Sequence, residues 1–173
     1  YTHRDDAGNT IGSDNIKSIY YRKENNTLYL GTHLGGLSIL DLNSNKIHTL
    51  KNKDRVNNSM LSDIVNEIQR YGDGLALLTQ GGVVFFDPDT ETFSTLSKDD
   101  KLQWLWRLRT PYETFYIDSR KRAWLALTSG GVVCVDLTTS QVERYLPDAD
   151  NPSKIGKFKI DHIFEDKIGR AHV

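Results

Sequence analysis

Three stretches of this chain are variants of one pattern: Tyr29-Leu30-Gly31-Thr32-His33-Leu34-Gly35-Gly36-Leu37-Ser38-Ile39-Leu40-Asp41, Leu75-Ala76-Leu77-Leu78-Thr79-Gln80-Gly81-Gly82-Val83-Val84-Phe85-Phe86-Asp87, and Trp124-Leu125-Ala126-Leu127-Thr128-Ser129-Gly130-Gly131-Val132-Val133-Cys134-Val135-Asp136. They align over 13 residues without a gap, as an apolar run, a Gly-Gly pair, a second apolar run and a closing Asp. The Gly-Gly pairs lie 46 and 49 residues apart, and Asp follows the second Gly by five residues each time. Such a period marks a repeat architecture, in which each unit buries its apolar faces against its neighbours.

The pattern extends on both sides. An apolar pair stands upstream of each stretch: Ile16 and Ile19, Val65 and Ile68, Tyr112 and Phe115. Ile160 and Ile163 open a fourth unit. Short closing segments follow at 46–50, 91–96 and 141–146. The apolar pieces are four to seven residues long and are punctuated by Gly, Asn and Asp, which spells strands rather than helices. Gly-Gly marks a hairpin turn needing positive φ. Residues 41–45, 87–90 and 136–140 mark the next turn.

Each unit is therefore four antiparallel strands. Val132-Val133-Cys134-Val135 is apolar throughout, as in a strand covered on both faces, whereas a β-sandwich would alternate toward solvent. The expected fold is all-β: a β-propeller fragment of four-stranded antiparallel blades, about three complete blades plus the start of a fourth. The expected boundaries are 15–50, 63–96 and 111–146 for the complete blades and 158–173 for the next, with both ends of the chain read as cuts in a longer repeat protein.

These residues resemble the two-component regulator propeller repeat. That family's pattern reads Ile-x-x-Ile-x-x-Asp, then Gly-x-Leu-Trp-Ile-Gly-Thr, then Gly-Gly-Leu and an Asp-ended strand. The third unit carries Phe115, Asp118, Trp124, Gly130 and Gly131 in those places. The first keeps Leu30-Gly31-Thr32 and Gly35-Gly36-Leu37 with Tyr29 for Trp, the second has Leu75 at the Trp position, and the fourth opens with 163–170. The resemblance implies a periplasmic sensor region of a hybrid two-component histidine kinase, usually a seven-bladed propeller responding to oligosaccharides. The kinase would lie outside this chain.

Composition narrows the alternatives. Lys and Arg number 22 against 23 Asp and Glu, so no basic excess points to nucleic acid. No apolar run reaches the length of a membrane span, so no membrane insertion is expected of this segment. The lone Cys134 excludes an internal disulfide and a cysteine-based zinc cluster. No paired carboxylates or nucleophilic set stands out, so no catalytic residue, metal ligand or cofactor is assigned, and a propeller lyase or hydrolase is the least favoured reading.

Strand parity narrows the place for a ligand. With strands a to d in each unit, the b–c turn and the d-to-a connection emerge on one rim. The b–c turns carry His33, Gln80, Thr128 and Ser129. The connection at 101–109 carries Trp104, Trp106, Arg107 and Arg109, whereas 8–15 and 57–62 are plain turn chemistry. Trp offers a flat apolar face to a sugar ring and Arg a rigid fork of donors. The candidate ligand contacts are thus Trp104, Trp106, Arg107, Arg109, His33, Gln80 and Ser129. The structural alternative stays open: Trp104 and Trp106 share parity and would point into an inter-blade core, with Arg107 and Arg109 solvated. The expected partners are an oligosaccharide and further blades, either of a parent protein or of a second copy. The competing function is a protein-interaction propeller without a small ligand. Asp41, Asp87 and Asp136 recur at the blade period and are read as caps of their own turns.

Overall fold

The computed structural model describes residues 9–53, 59–95, 112–148, 150–151, 155–166 and 171–172. The chain divides into two compact units, Tyr1–Thr95 and Leu96–Val173. The first holds two four-stranded antiparallel sheets. Blade 1 is β1 (Ile16–Arg22), β2 (Thr27–Thr32), β3 (Leu37–Asp41) and β4 (Lys46–Leu50); blade 2 is β5 (Val65–Tyr71), β6 (Gly74–Thr79), β7 (Gly82–Asp87) and β8 (Thr92–Thr95). The second unit holds blade 3, made of β9 (Tyr112–Ile117), β10 (Arg122–Leu127), β11 (Val132–Asp136) and β12 (Val142–Tyr145), followed by the short pair β13 (Phe164–Glu165) and β14 (Ala171–His172). Strands pair in chain order within every sheet. This is the propeller-blade meander three times over, with the opening of a fourth.

The turns repeat as well as the strands. Between the third and fourth strands, Asn45, Glu91 and Ser140 each adopt left-handed φ, at 55°, 51° and 60°. In each case the Asp that closes the third strand holds the turn. Asp41 accepts from Asn43 N and Ser44 Oγ, Asp87 from Asp89 N, and Asp136 from Thr138 N and Thr139 N. The expectation of local capping is met, because a short carboxylate reaches the amides two and three residues on.

Burial on both faces explains the apolar runs. Leu75, Ala76, Leu77 and Leu78 are all buried, as are Val132, Val133, Cys134 and Val135. Between blades 1 and 2, Tyr29, Leu37 and Ile39 meet Ile68, Leu77, Phe86 and Phe93 in one core. Tyr29 meets Phe86 edge-on, with ring centroids 6.1 Å apart. Each such side chain contributes about 1.5–3 kcal/mol through burial. In the second unit, Ala126 and Val132 of blade 3 pack on Ile160 and Ile163, with Tyr116 and Trp124 at the margin.

Blade 2 departs from the gap-free alignment. Tyr29 pairs with Ile39, and Trp124 with Cys134, but the partner of Phe85 is Ala76 rather than Leu75. The cause is the b–c turn of blade 2, which is one residue shorter: Leu78 pairs with Val83, where blade 1 pairs Gly31 with Leu37. The expectation that Leu75 stands at the Trp position is therefore corrected. Ala76 holds that place, and the one-residue slip turns Leu75 to the other face of the sheet, into the core shared with blade 1. Opposite, the rings of Tyr71 and Phe85 lie 4.6 Å apart.

The Gly-Gly pairs need a second correction. The second glycine of each has positive φ, at 80° for Gly36, 122° for Gly82 and 90° for Gly131, but of the first glycines only Gly130 does. Gly35 and Gly81 are required for another reason. A Cβ on Gly35 would lie 2.4 Å from the Gly12 carbonyl carbon, and one on Gly81 2.8 Å from the Leu61 carbonyl oxygen. The segment leading into the first strand crosses the b–c turn too closely for a side chain.

Candidate functional site

The b–c turns and the segments entering the first strand share one end of each sheet in the first unit. His33 N donates to Asn15 O at 2.9 Å, and Gln80 N to Ile64 O at 3.0 Å. Both backbones are thus committed to the scaffold, leaving the half-buried His33 and the exposed Gln80 side chains on that rim. Trp104, Trp106, Arg107 and Arg109 lie outside the described residues.

Ser129 is exposed in the b–c turn of blade 3, where Gly130 N and Leu127 O close a tight bend at 2.9 Å. Beside it lies a cleft of about 640 Å³ on this rim of the second unit. One wall is Ser129 and Gly130; the other is the chain leaving β12, with Pro147, Asp148 and Asn151 and then Lys157 and Phe158. Phe158 is 78 % exposed. Asp148 shapes its own loop, its carboxylate accepting from Asp150 N and its carbonyl from Asn151 N.

The volume suits a small ligand or the end of a longer one. An exposed aromatic face, a carboxylate, an amide, an ammonium and a hydroxyl line one concave surface, a combination that stacks on and hydrogen-bonds to a polyhydroxylated molecule. Among the described residues, Ser129 is the one residue expected from sequence that lines the cleft. Asp148, Asn151, Lys157 and Phe158 were missed. Asp148 reads as an ordinary loop acid, and Phe158 sits two residues before the apolar pair Ile160 and Ile163, where it passes for core. The available signal was positional: 147–158 is the d-to-a connection after blade 3, the counterpart of 101–109.

Below the blade 3 face, Asp118 gathers a cluster. Its side chain is 1 % exposed and pairs with Arg122 at 2.7 Å. Arg122 lies over the Trp124 ring at 5.0 Å, and Trp124 stacks on Tyr145 at 5.9 Å. The hydrogen bond to Glu143, with burial added, pushes the Tyr145 hydroxyl up to about 12, so it stays protonated and donates. Every polar group named here is engaged within blade 3, so the cluster is scaffold. Among the described residues no group of three His, Cys, Asp or Glu is placed to hold a metal ion, and no helix is long and apolar enough to cross a membrane.

No protein-family model matches the chain, and no curated protein matches it. Solved structures do. The chain is similar to the extracellular domain assigned to the hybrid two-component system BT3049 of B. thetaiotaomicron, with TM-score 0.79 and 16 % identity over 99 % of this chain and 22 % of that one. It is similar to the corresponding domain of BT4673 from the same organism, with TM-score 0.72 and 19 % identity over 94 % of this chain and 20 % of that one. An auxiliary nutrient binding protein of Bacteroides thetaiotaomicron VPI-5482 matches with TM-score 0.61 and 14 % identity, over 92 % of this chain and 36 % of its own. The chain spans about a fifth of the length of the two extracellular domains. It shares their fold.

Proposed function

We propose that this chain is part of the periplasmic sensor region of a hybrid two-component regulator and that it binds an oligosaccharide, with the kinase output outside the chain. The fold shared with extracellular domains of such systems, and with a nutrient binding protein, supports the sensor reading. The single observation that carries ligand binding is the cleft in which exposed Phe158 stands beside Asp148, Asn151 and Ser129. Phe158 provides the stacking face, and the polar groups read hydroxyl positions. Trp104, Trp106, Arg107 and Arg109 form a second proposed contact region on the connection after blade 2. The remaining blades of a longer propeller are the proposed protein partners.

Calorimetric titration with oligosaccharides of the major glycan classes tests this reading. One class is expected to bind, and Phe158→Ala to weaken it by about tenfold, the effect of losing one well-packed aromatic contact. Absence of binding across all classes, or unchanged affinity in Phe158→Ala and Trp104→Ala alike, rejects it.

A further inference from the structure

The Phe158 ring stands 78 % exposed at the cleft of the second unit. An exposed aromatic has several rotamers open to it, and its surroundings select among them. The chain around Phe158 is pinned on both sides. Ile160 is buried with Ala126 and Val132, and Ile155 packs against the same cluster. Between them the chain runs close over the b–c turn of blade 3: a Cβ on Gly130 would lie 3.3 Å from Lys157 Cα and 3.4 Å from Pro147 Cγ.

Gly156 differs in kind from the first glycines of blades 1 and 2. A Cβ on Gly35 or Gly81 would press on the backbone of a crossing segment. One on Gly156 would instead meet the Phe158 ring, 2.4 Å from both Cδ2 and Cε2 and 3.6 Å from Cζ. Non-bonded carbons settle at about 3.5–4.0 Å, so a methyl and the ring cannot share this space. Equal distances to one ring bond, with Cζ farther off, set the added carbon beyond the ring's edge rather than above its face. The ring therefore rests edgewise on the open side of Gly156, and that residue covers neither face. A stacking surface needs this posture, with the edge supported and a face free.

The position carries no competing constraint among these neighbours. Gly156 does not have positive φ, so alanine suits its backbone. The three atoms nearest the added methyl all belong to the ring, which is the movable end of an exposed side chain. Alanine at 156 thus displaces the ring and leaves the fold in place.

We propose that Gly156 is the positioning residue of the saccharide site: by lacking a side chain, it lets the Phe158 ring settle edgewise on the backbone with a face open for stacking. This rests on the oligosaccharide reading above and names what sets its stacking surface. A ring already in place loses less freedom when a sugar lands on it.

The test joins calorimetry to fluorine NMR on the full chain. The probes are maltotriose, xylotriose, mannotriose and a galacturonate trimer. Gly156→Ala weakens the probe that binds severalfold, and by no more than the about tenfold of Phe158→Ala. In a Phe158→Ala background it has no further effect, because it acts through the ring. Its urea midpoint matches that of the unsubstituted protein. In ligand-free protein labelled with para-fluorophenylalanine, the resonance that Phe158→Ala removes is the one that Gly156→Ala shifts. An unmoved resonance, a loss of affinity that persists in the Phe158→Ala background, or a urea midpoint lowered in step with affinity overturns the proposal. If Phe158→Ala loses binding and Gly156→Ala keeps it, this proposal alone fails and the oligosaccharide reading stands. If no probe binds, that reading fails and this proposal falls with it.

Discussion

The indole Nε1 of Trp124 donates to Oδ2 of Asp118 at 2.9 Å, across the first hairpin of blade 3. The same oxygen accepts from Arg122 Nε at 2.7 Å, while Oδ1 accepts from the amides of Arg120 and Arg122. One buried carboxylate thus closes the turn, fixes the guanidinium over the indole and orients the indole edge. Asp118→Ala leaves these donors without an acceptor and is expected to destabilise the protein by about 3 kcal/mol. Trp124→Phe keeps a ring in place and loses one donor, so its cost should be smaller. Urea denaturation of both variants checks the order; equal costs would mean that the indole packing, not the carboxylate, holds the turn.

Acid should undo this arrangement. Burial works against the Asp118 charge, but the hydrogen bonds from Trp124 and Arg122 outweigh it and hold the carboxyl below the usual range. Asp41, Asp87 and Asp136 are lowered too, first by the Ser44 hydroxyl, the Asp89 amide and the Thr139 amide respectively. A carboxylate whose folded pKa is depressed stabilises the fold above its unfolded pKa, near 3.9, and loses that contribution as pH falls through the folded value. The urea midpoint is expected to stay level from about pH 7 to 5 and to fall below about pH 4. The fall should be shallower in Asp118→Ala; an identical slope would place the acid sensitivity in the turn aspartates alone.

Gly35 and Gly72 separate two reasons for a glycine. Gly72 has φ 59° and open space around it, so Gly72→Ala meets only the left-handed backbone penalty, about 1 kcal/mol. Gly35→Ala brings a methyl onto the Gly12 backbone and should cost more than about 2 kcal/mol, since neither chain can yield without moving its hydrogen bonds. Chemical denaturation of the two variants decides it, and a Gly35→Ala protein as stable as Gly72→Ala would show that the crossing segment is free to shift.

How far the sequence carries can be judged at these residues. Strand type, turn positions and the number of blades follow from short apolar runs and the Asp that caps each third turn, because those signals are local. The second glycine of each pair is legible for the same reason. The first glycine of blades 1 and 2 is not, since its partner lies about twenty residues away and contact at that distance leaves no local trace. The rim on which Ser129 lies was legible from strand parity. Phe158 was not, because an exposed aromatic and a core aromatic look alike until burial is known.

Cys134 should be chemically silent. It is 4 % exposed, and burial pushes its thiol up to about 11, so almost no thiolate exists near neutral pH. Titration with an aromatic disulfide reagent at pH 8 is expected to detect no thiol in the folded protein and one in urea, with the reaction tracking global unfolding. Reaction well below the unfolding midpoint would reveal that β11 opens on its own.

Blade 2 offers a case in which restoring the repeat should harm the protein. Consensus substitutions commonly stabilise, and the gap-free alignment recommends Leu75→Trp. Yet Leu75 is 2 % exposed in the core shared with blade 1, so a larger ring there is overpacked by about 1–3 kcal/mol. Ala76 occupies the true position, but it pairs across the sheet with Phe85, whose ring rests against Tyr71. Ala76→Trp should therefore be destabilising as well, and combining it with Phe85→Ala should recover part of the loss by vacating that space. Thermal denaturation of the single and double variants measures the coupling. If Leu75→Trp proves stabilising while Ala76→Trp does not, the one-residue slip of β6 is wrong, and the repeat runs through blade 2 without a deletion.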